Sequence, residues 1–314
     1  MIFGKNNLVW YNGEIVRADE LSVGIGTHGL HYGTGVFEGI RSYATDHGPA
    51  IFRLPEHLQR LYDSANIYGM KIKFSEAELT DACRQVVALN ELTNCYIRPI
   101  VFLGDESLGI KANPEVKVAV MAFEWNTNPK GQSEGIRATI SKYTKFNSSM
   151  MPTTAKASGQ YINSRLALRE AAARGFDEAI LLNTEGNIAE GSVENIFIVK
   201  SDALFTNDAE SSILMGVTRA SVIDLARDLK IPVVVKSLTV AELKNADEAF
   251  FTGTAVEIIP IREVDEKVIS HGKAGTLTKK LQSLFNATTK GQNPLRESWL
   301  TLVEKELNIN QVAV

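Results

Sequence analysis

Six of the 23 glycines crowd into one segment: Gly24, Gly26, Gly29, Gly33, Gly35 and Gly39. Glycine is the residue for positive φ and for close approach of backbone to another chain or a ligand. This cluster constrains the fold more than any other feature. Gly33-Thr34-Gly35-Val36-Phe37-Glu38-Gly39 is near a dinucleotide fingerprint, but its spacing is wrong. The residues that follow are β-branched and aromatic, where a nucleotide-binding sheet would open a helix. The segment therefore reads as a looping backbone in close contact, and a nucleotide-dependent oxidoreductase is only a rival reading.

The elements around it are short and mixed. Leu8-Val9-Trp10-Tyr11 and Glu14-Ile15-Val16 flank Asn12-Gly13, which supplies the two positive φ angles of a type I′ hairpin. A strand is expected over 36–43, broken at His47-Gly48 and resumed at 50–52. Pro55 opens a helix at its first position, with Leu58, Leu61 and Ala65 on one face. Ser75 with Glu78 predicts a capping box for a second helix, to about Asn90. Residues 95–103 and 116–123 read as buried strands. The stretch 126–135 is polar but for Pro129 and is expected to be a linker.

Beyond it, strands are expected at 136–141, 178–182, 195–199, 233–235 and 249–251. A helix covers about 159–174 and stops at Gly175; another runs from Val217 to before Pro232; the tail from Thr276 is mostly helical. The class is mixed α/β (α+β). Three parts are expected: a small N-terminal α/β domain over 1–125, the linker 126–135 and a larger domain over 136–314.

Composition narrows the function. With 33 Lys+Arg against 37 Asp+Glu, the net charge is −4, which argues against nucleic acid or a polybasic membrane surface as partner. Mean hydropathy is −0.06 and no long uncharged apolar run occurs, so no spanning helix is expected. Residues 1–10 lack the apolar run of a secretory signal. Cys83 and Cys95 cannot form a disulfide scaffold, and with five His they make a poor metal set. His28 and His31 are expected to hydrogen-bond rather than hold metal. A cytoplasmic enzyme is the reading.

Several features could carry chemistry. Lys156 sits among small residues, Thr153-Thr154-Ala155-Lys156-Ala157-Ser158-Gly159. Small neighbours leave room for a flat ligand, and burial would lower the ammonium toward a nucleophilic amine, as a Schiff-base lysine requires; a solvated surface lysine is the plainer alternative. Gly216-Val217-Thr218-Arg219 opens a helix and suits a phosphate. Thr252-Gly253-Thr254-Ala255 resembles a second anion cradle. Glu190, in Glu190-Gly191-Ser192-Val193-Glu194-Asn195, needs a partner: a pyridinium nitrogen, an arginine or water. Tyr96 and Arg98 point to one face of a strand, an arrangement suited to a carboxylate.

Taken together and in order, these pieces resemble a known family. His31-Tyr32-Gly33-Thr34-Gly35-Val36-Phe37-Glu38-Gly39-Ile40-Arg41, Tyr96-Ile97-Arg98-Pro99, Ala155-Lys156-Ala157, Glu190-Gly191 with Glu194-Asn195, and Gly253-Thr254-Ala255 look like the branched-chain amino acid aminotransferases, pyridoxal-phosphate enzymes of fold type IV. The resemblance spans nearly the whole chain and implies a two-domain architecture with the cofactor in the cleft between the domains. Within it, Lys156 is the Schiff-base lysine and proton shuttle. Glu190 faces the pyridine nitrogen, Tyr161 bonds the ring O3′, and Arg60 pairs with the phosphate, a role Arg53 does not match. Val217, Thr218, Gly253 and Thr254 complete the pyridoxal 5′-phosphate contacts.

The resemblance also implies the substrate residues. Tyr96 and the amides of Thr254 and Ala255 hold the α-carboxylate, while Phe37, Tyr32 and Trp125 line an apolar pocket. One methylene is worth only about 1–3 kcal/mol there, so broad specificity for leucine, isoleucine and valine is implied. Arg98, with the Tyr32 hydroxyl, receives the distal carboxylate of glutamate or 2-oxoglutarate, and Leu108 comes from a neighbouring subunit. The implied assembly is a homo-oligomer, at least a dimer, with hexamers frequent among bacterial members. The amino acids and 2-oxo acids are its small-molecule partners, and no metal is implied. Asn126-Thr127-Asn128 stands where similar enzymes often carry a tyrosine, a departure that touches the acceptor contact. Relatives of the same fold, D-amino acid aminotransferases and aminodeoxychorismate lyases, carry other residues at the Tyr96–Pro99 position. A non-catalytic vitamin B6 carrier is the remaining alternative.

Overall fold

The computed structural model describes residues 3–105 and 107–304. Their contacts divide the chain into two units: residues to 126 with 155–159 and those from 287 on, and residues 127–154 with 160–286.

In the first unit the hairpin forms as its turn dictates. Strands Leu8–Tyr11 and Glu14–Arg17 pair antiparallel, with Asn12 at φ 49° and Gly13 at φ 102°. The expected strand over 36–43 is two strands, Gly35–Phe37 and Ile40–Thr45, interrupted at Glu38-Gly39. Both pair antiparallel with Cys95–Leu103, so the interruption is a kink within one sheet. Along the sheet the order is Leu300–Leu302, Gly48–Phe52, Ile40–Thr45, Cys95–Leu103, Val116–Glu124, Leu8–Tyr11, Glu14–Arg17.

Two helices pack on it and on each other, Leu54–Ile67 and Glu76–Leu89. The first begins one residue before Pro55; its Leu58, Leu61 and Ala65 are buried. The second carries the complete capping box of Ser75 and Glu78. Leu58, Leu61, Leu79, Val86, Ile97, Val101 and Val120 belong to the core between helices and sheet.

The second unit holds a mixed sheet in the order Ile188–Gly191, Glu178–Leu182, Ile136–Ile140, Glu257–Val264, Glu248–Gly253, Asn195–Lys200, Ala203–Thr206, Val233–Val235. Ile136–Ile140 runs parallel to both neighbours, while Glu248–Gly253 is antiparallel to both of its own. Helix Tyr161–Ala173 packs on strands Glu178–Leu182 and Ile136–Ile140, and helix Val217–Asp228 on Glu248–Gly253. The expected mixed α/β class holds, with two sheets rather than one wound sheet. Within the polar stretch 126–135, Pro129–Glu134 is a helix capped by the Asn128 side chain. The helical tail is real over Thr276–Thr289, but the chain then returns as the strand Leu300–Leu302; residues 305–314 lie outside the described residues.

Candidate active site

The segment carrying Lys156 is stitched into the first unit by backbone. Gly159 N–H donates to Gly33 O at 3.2 Å, Phe37 N–H to Lys156 O at 3.0 Å, and Val36 bridges Ala157. Gly33 ends the short helix His28–Tyr32 at φ 67°, and a Cβ there would stand 2.8 Å from Gly159 Cα. This is the close approach that the glycine cluster calls for. Lys156 N–H donates to the Ser64 hydroxyl at 3.0 Å.

Around Lys156 stand charged and aromatic groups of the same unit. Its Nζ lies 5.4 Å from the centre of the Phe37 ring, and the Arg98 guanidinium lies 4.5 Å from the same ring. Burial and the Arg60 cation push the Lys156 amine down to about 8, against the pull of Glu38 and Tyr96. Arg60 Nε and Nη2 donate to the two oxygens of Glu38 at 2.6 and 2.8 Å. His57 Nδ1 is 2.7 Å from Glu38 Oε2. Burial alone would raise the Glu38 carboxyl, but Arg60 and His57 outweigh it and hold it well below the usual carboxylate range.

Tyr96 stacks on Phe123 at 5.5 Å and leans against Trp125 at 5.1 Å. Arg98 Nη2 reaches the Tyr96 hydroxyl at 3.4 Å, and Arg98 Nε is buried with no partner among the described residues. A guanidinium with an unmet donor beside a hydroxyl suits an incoming carboxylate. Tyr32 is exposed, and its hydroxyl donates to Leu108 O at 2.7 Å. His28 and His31 hydrogen-bond to Thr34 Oγ1 and Ile25 O.

The second unit holds the other group of candidates. Glu190 lies near the end of the strand Ile188–Gly191 and is buried; its Oε1 lies 2.7 Å from Lys145 Nζ, and its Oε2 accepts Leu214 N–H at 3.0 Å. Val217 and Thr218, both buried, open the helix Val217–Asp228. Its N-cap is Gly216, so no side chain caps the first amides, and a helix start of this kind receives anions. A Cβ at Gly216 would overlap Asn195 Oδ1, so any larger residue there must displace that side chain. Gly253 ends its strand, with Thr254 and Ala255 next and partly buried, and Tyr161 is the first residue of its helix.

Residues 35–264 match the family model of class IV amino-transferases. The branched-chain-amino-acid aminotransferase of Pseudomonas aeruginosa is 43% identical over 96% of this chain and 98% of its own. The Escherichia coli enzyme of that name is 41% identical over 96% and 99%. The chain belongs to the class IV aminotransferases. Among solved structures, a branched-chain amino acid aminotransferase complexed with N-(5′-phosphopyridoxyl)-L-glutamate superposes with a TM-score of 0.91 at 42% identity, covering 96% of this chain and 99% of that one. The Escherichia coli structure gives 0.93 at 41%, covering 96% and 100%.

In this class IV aminotransferase the first unit brings together Arg60, Phe37, Tyr96, Arg98, Trp125 and Lys156, while the second carries Tyr161, Glu190, Val217, Thr218, Gly253, Thr254 and Ala255. Sequence reasoning gave no role to Glu38, His57, Ser64 or Lys145. His57, Arg60 and Ser64 follow at helical spacing on one helix, a signal that was available. Lys145 lies in Ser141-Lys142-Tyr143-Thr144-Lys145, which reads as a solvated stretch and left no such signal.

Proposed function

We propose that this chain is a branched-chain amino acid aminotransferase, moving an amino group reversibly between leucine, isoleucine or valine and 2-oxoglutarate with pyridoxal 5′-phosphate as cofactor. The observation that carries the reading is Lys156: a lysine whose Nζ lies 5.4 Å from the centre of the Phe37 ring and whose amine is pushed by burial and the Arg60 cation down to about 8. At pH 7 about a tenth of such an amine is neutral, some few-hundredfold more than for an ordinary lysine. That neutral amine is what condenses with an aldehyde.

The residues fit the cofactor. Arg60, Thr218, Thr254 and the uncapped amides behind Gly216 are the donors for a phosphate monoester, and Glu190 is the carboxylate to keep a proton on a pyridine nitrogen. Tyr161 is the hydroxyl for the ring oxygen. Bound pyridoxal phosphate supplies an electrophilic carbon and an electron sink. Lys156 Nζ is the base that takes the Cα proton of the amino acid and later returns it. Tyr96, with the amides of Thr254 and Ala255, holds the α-carboxylate, and Arg98 takes the distal carboxylate of glutamate through its unmet Nε donor. Phe37 and Trp125 cover the branched side chain.

The active form is at least a dimer. Ile25, Leu30, Leu108 and Ile110 are strongly exposed apolar residues close to the Tyr32–Leu108 hydrogen bond, which supports covering by a second copy and a role for Leu108 in its neighbour's pocket. Among the described residues no helix is long and apolar enough to cross a membrane.

The test is spectroscopic. The purified protein, supplied with pyridoxal phosphate, should turn yellow, and L-leucine should bleach the colour while D-alanine leaves it. K156A should form no such colour. A wild-type protein that stays colourless, or a yellow one that no L-amino acid changes, overturns the reading.

A further inference from the structure

Glu38 is a fully buried carboxylate in the first unit. It lies in the two-residue break between strands Gly35–Phe37 and Ile40–Thr45, and its own N–H donates to Pro99 O at 2.9 Å. Its side chain is 0% exposed. A carboxylate placed there loses water and must be wholly satisfied by protein. The helix Leu54–Ile67 supplies the partners from one face. Arg60 donates through Nε to Oε1 and through Nη2 to Oε2, and His57 Nδ1 lies 2.7 Å from Oε2. Gly39 N–H adds a contact to Oε2 at 3.3 Å.

The proton assignments follow. Glu38 is ionised, so it accepts, and the hydrogen between it and His57 belongs to Nδ1. Burial pushes the imidazole down, outweighing the pull of Glu38, so the ring is neutral. The pair therefore balances one carboxylate against one guanidinium, with the neutral imidazole fixing the carboxylate's plane. Two parallel bonds from Nε and Nη2 then fix the plane of the guanidinium, which a single contact would leave free to turn.

We propose that Glu38 and His57 are positioning residues that lock the Arg60 guanidinium in the orientation that receives a phosphate monoester. This rests on the reading of Arg60 as the cofactor's phosphate partner. Neither residue touches the reacting atoms. Their contribution is the geometry of a third side chain, set in advance so that the phosphate does not have to order it. Charge alone would argue the opposite way: Glu38 cancels the Arg60 cation, and a bare cation would attract phosphate more strongly.

That opposition makes the inference testable. Pyridoxal has the ring and aldehyde of the cofactor without the phosphate. Affinities of both compounds are measured by absorbance titration of the full-length, cofactor-freed protein. In E38Q the preference for pyridoxal phosphate over pyridoxal should fall roughly tenfold, while pyridoxal affinity changes less than about twofold. In H57L, which removes one anchor of Glu38 and leaves its charge, the preference should fall by a smaller factor; this variant carries the test if E38Q does not fold. In the R60M background, adding E38Q should change the preference no further.

An unchanged preference in both single variants overturns the inference, and so does an equal loss for both compounds, which marks a merely structural role. A raised preference in E38Q overturns it as well, because Glu38 would then only cancel charge. If R60M itself keeps the full preference, the assignment of Arg60 to the phosphate fails. If R60M abolishes the preference while E38Q and H57L retain it, that assignment stands and the positioning role alone falls.

Discussion

Lys145 Nζ stands 2.7 Å from Glu190 Oε1, and the two side chains are only 10% and 7% exposed. A pair so enclosed is costly to break from one side, because the surviving charge stays buried without a counter-ion. K145M should therefore destabilise the protein by about 3–5 kcal/mol, read from urea denaturation. K145R should retain most of the stability. A neutral K145M would show that water or another cation reaches Glu190.

The amine of Lys156 should ionise near pH 8 in the cofactor-free protein. Reaction of this lysine with an amine-selective reagent, followed by peptide mass spectrometry, should rise with pH to half its maximum there. Arg60 depresses the value, so R60M should move the midpoint upward, toward the ordinary lysine range. A midpoint unmoved by R60M would remove Arg60 as a cause.

Glu178 and Glu194 face one another inside the second unit, and burial raises both carboxyls, Glu194 the more. Glu178 Oε1 accepts Ala179 and Ser192 N–H, and Glu194 Oε2 accepts Val193 N–H. The folded chain holds protons here that the unfolded chain has released. The stability they contribute is complete below the unfolded carboxyl range, around pH 4, and is lost as pH rises through the folded values. E194Q keeps a donor for Glu178 and removes one ionisation. Its urea midpoint should decline less than wild type between pH 5 and 8.

Gly39 shows how tightly Tyr96 is seated. A Cβ at residue 39 would overlap the Tyr96 hydroxyl, and the ring cannot swing away because Phe123 and Trp125 hold it. G39A should cost about 1–3 kcal/mol of stability and lower kcat/KM for leucine by more than its effect on cofactor binding. Equal kinetics in G39A and wild type would separate Tyr96 from the substrate carboxylate.

Arg98 should divide the two half-reactions. R98M should slow the glutamate half-reaction roughly a hundredfold more than the leucine half-reaction, measured by single-turnover absorbance. A uniform loss would assign Arg98 to a contact common to both substrates.

Local chemistry made much of this chain legible. Asn12-Gly13 and Ser75 with Glu78 each state a turn or a cap whose hydrogen bonds close within a few residues. The run Cys95–Leu103 declared a buried strand by itself. What depended on distant partners was not legible. Val36 to Tyr43 looks continuous, and only its pairing with Cys95–Leu103 reveals the kink that turns Glu38 inward. Lys145 looks solvated until Glu190 is brought to it. By composition the stretch 126–135 looks like a linker, whereas Asn128-Pro129 starts the helix Pro129–Glu134.

The first unit is assembled from three separate pieces of chain. Its sheet ends on Leu300–Leu302, which pairs with Gly48–Phe52, and its lysine arrives on residues 155–159. During synthesis residues up to 126 therefore leave the ribosome with an open sheet edge and without Lys156. The edge strand Gly48–Phe52 must wait until Leu300–Leu302 has been made before its neighbour exists. Premature termination anywhere short of residue 300 would leave that edge unpaired, a product suited to aggregation and clearance rather than to partial activity.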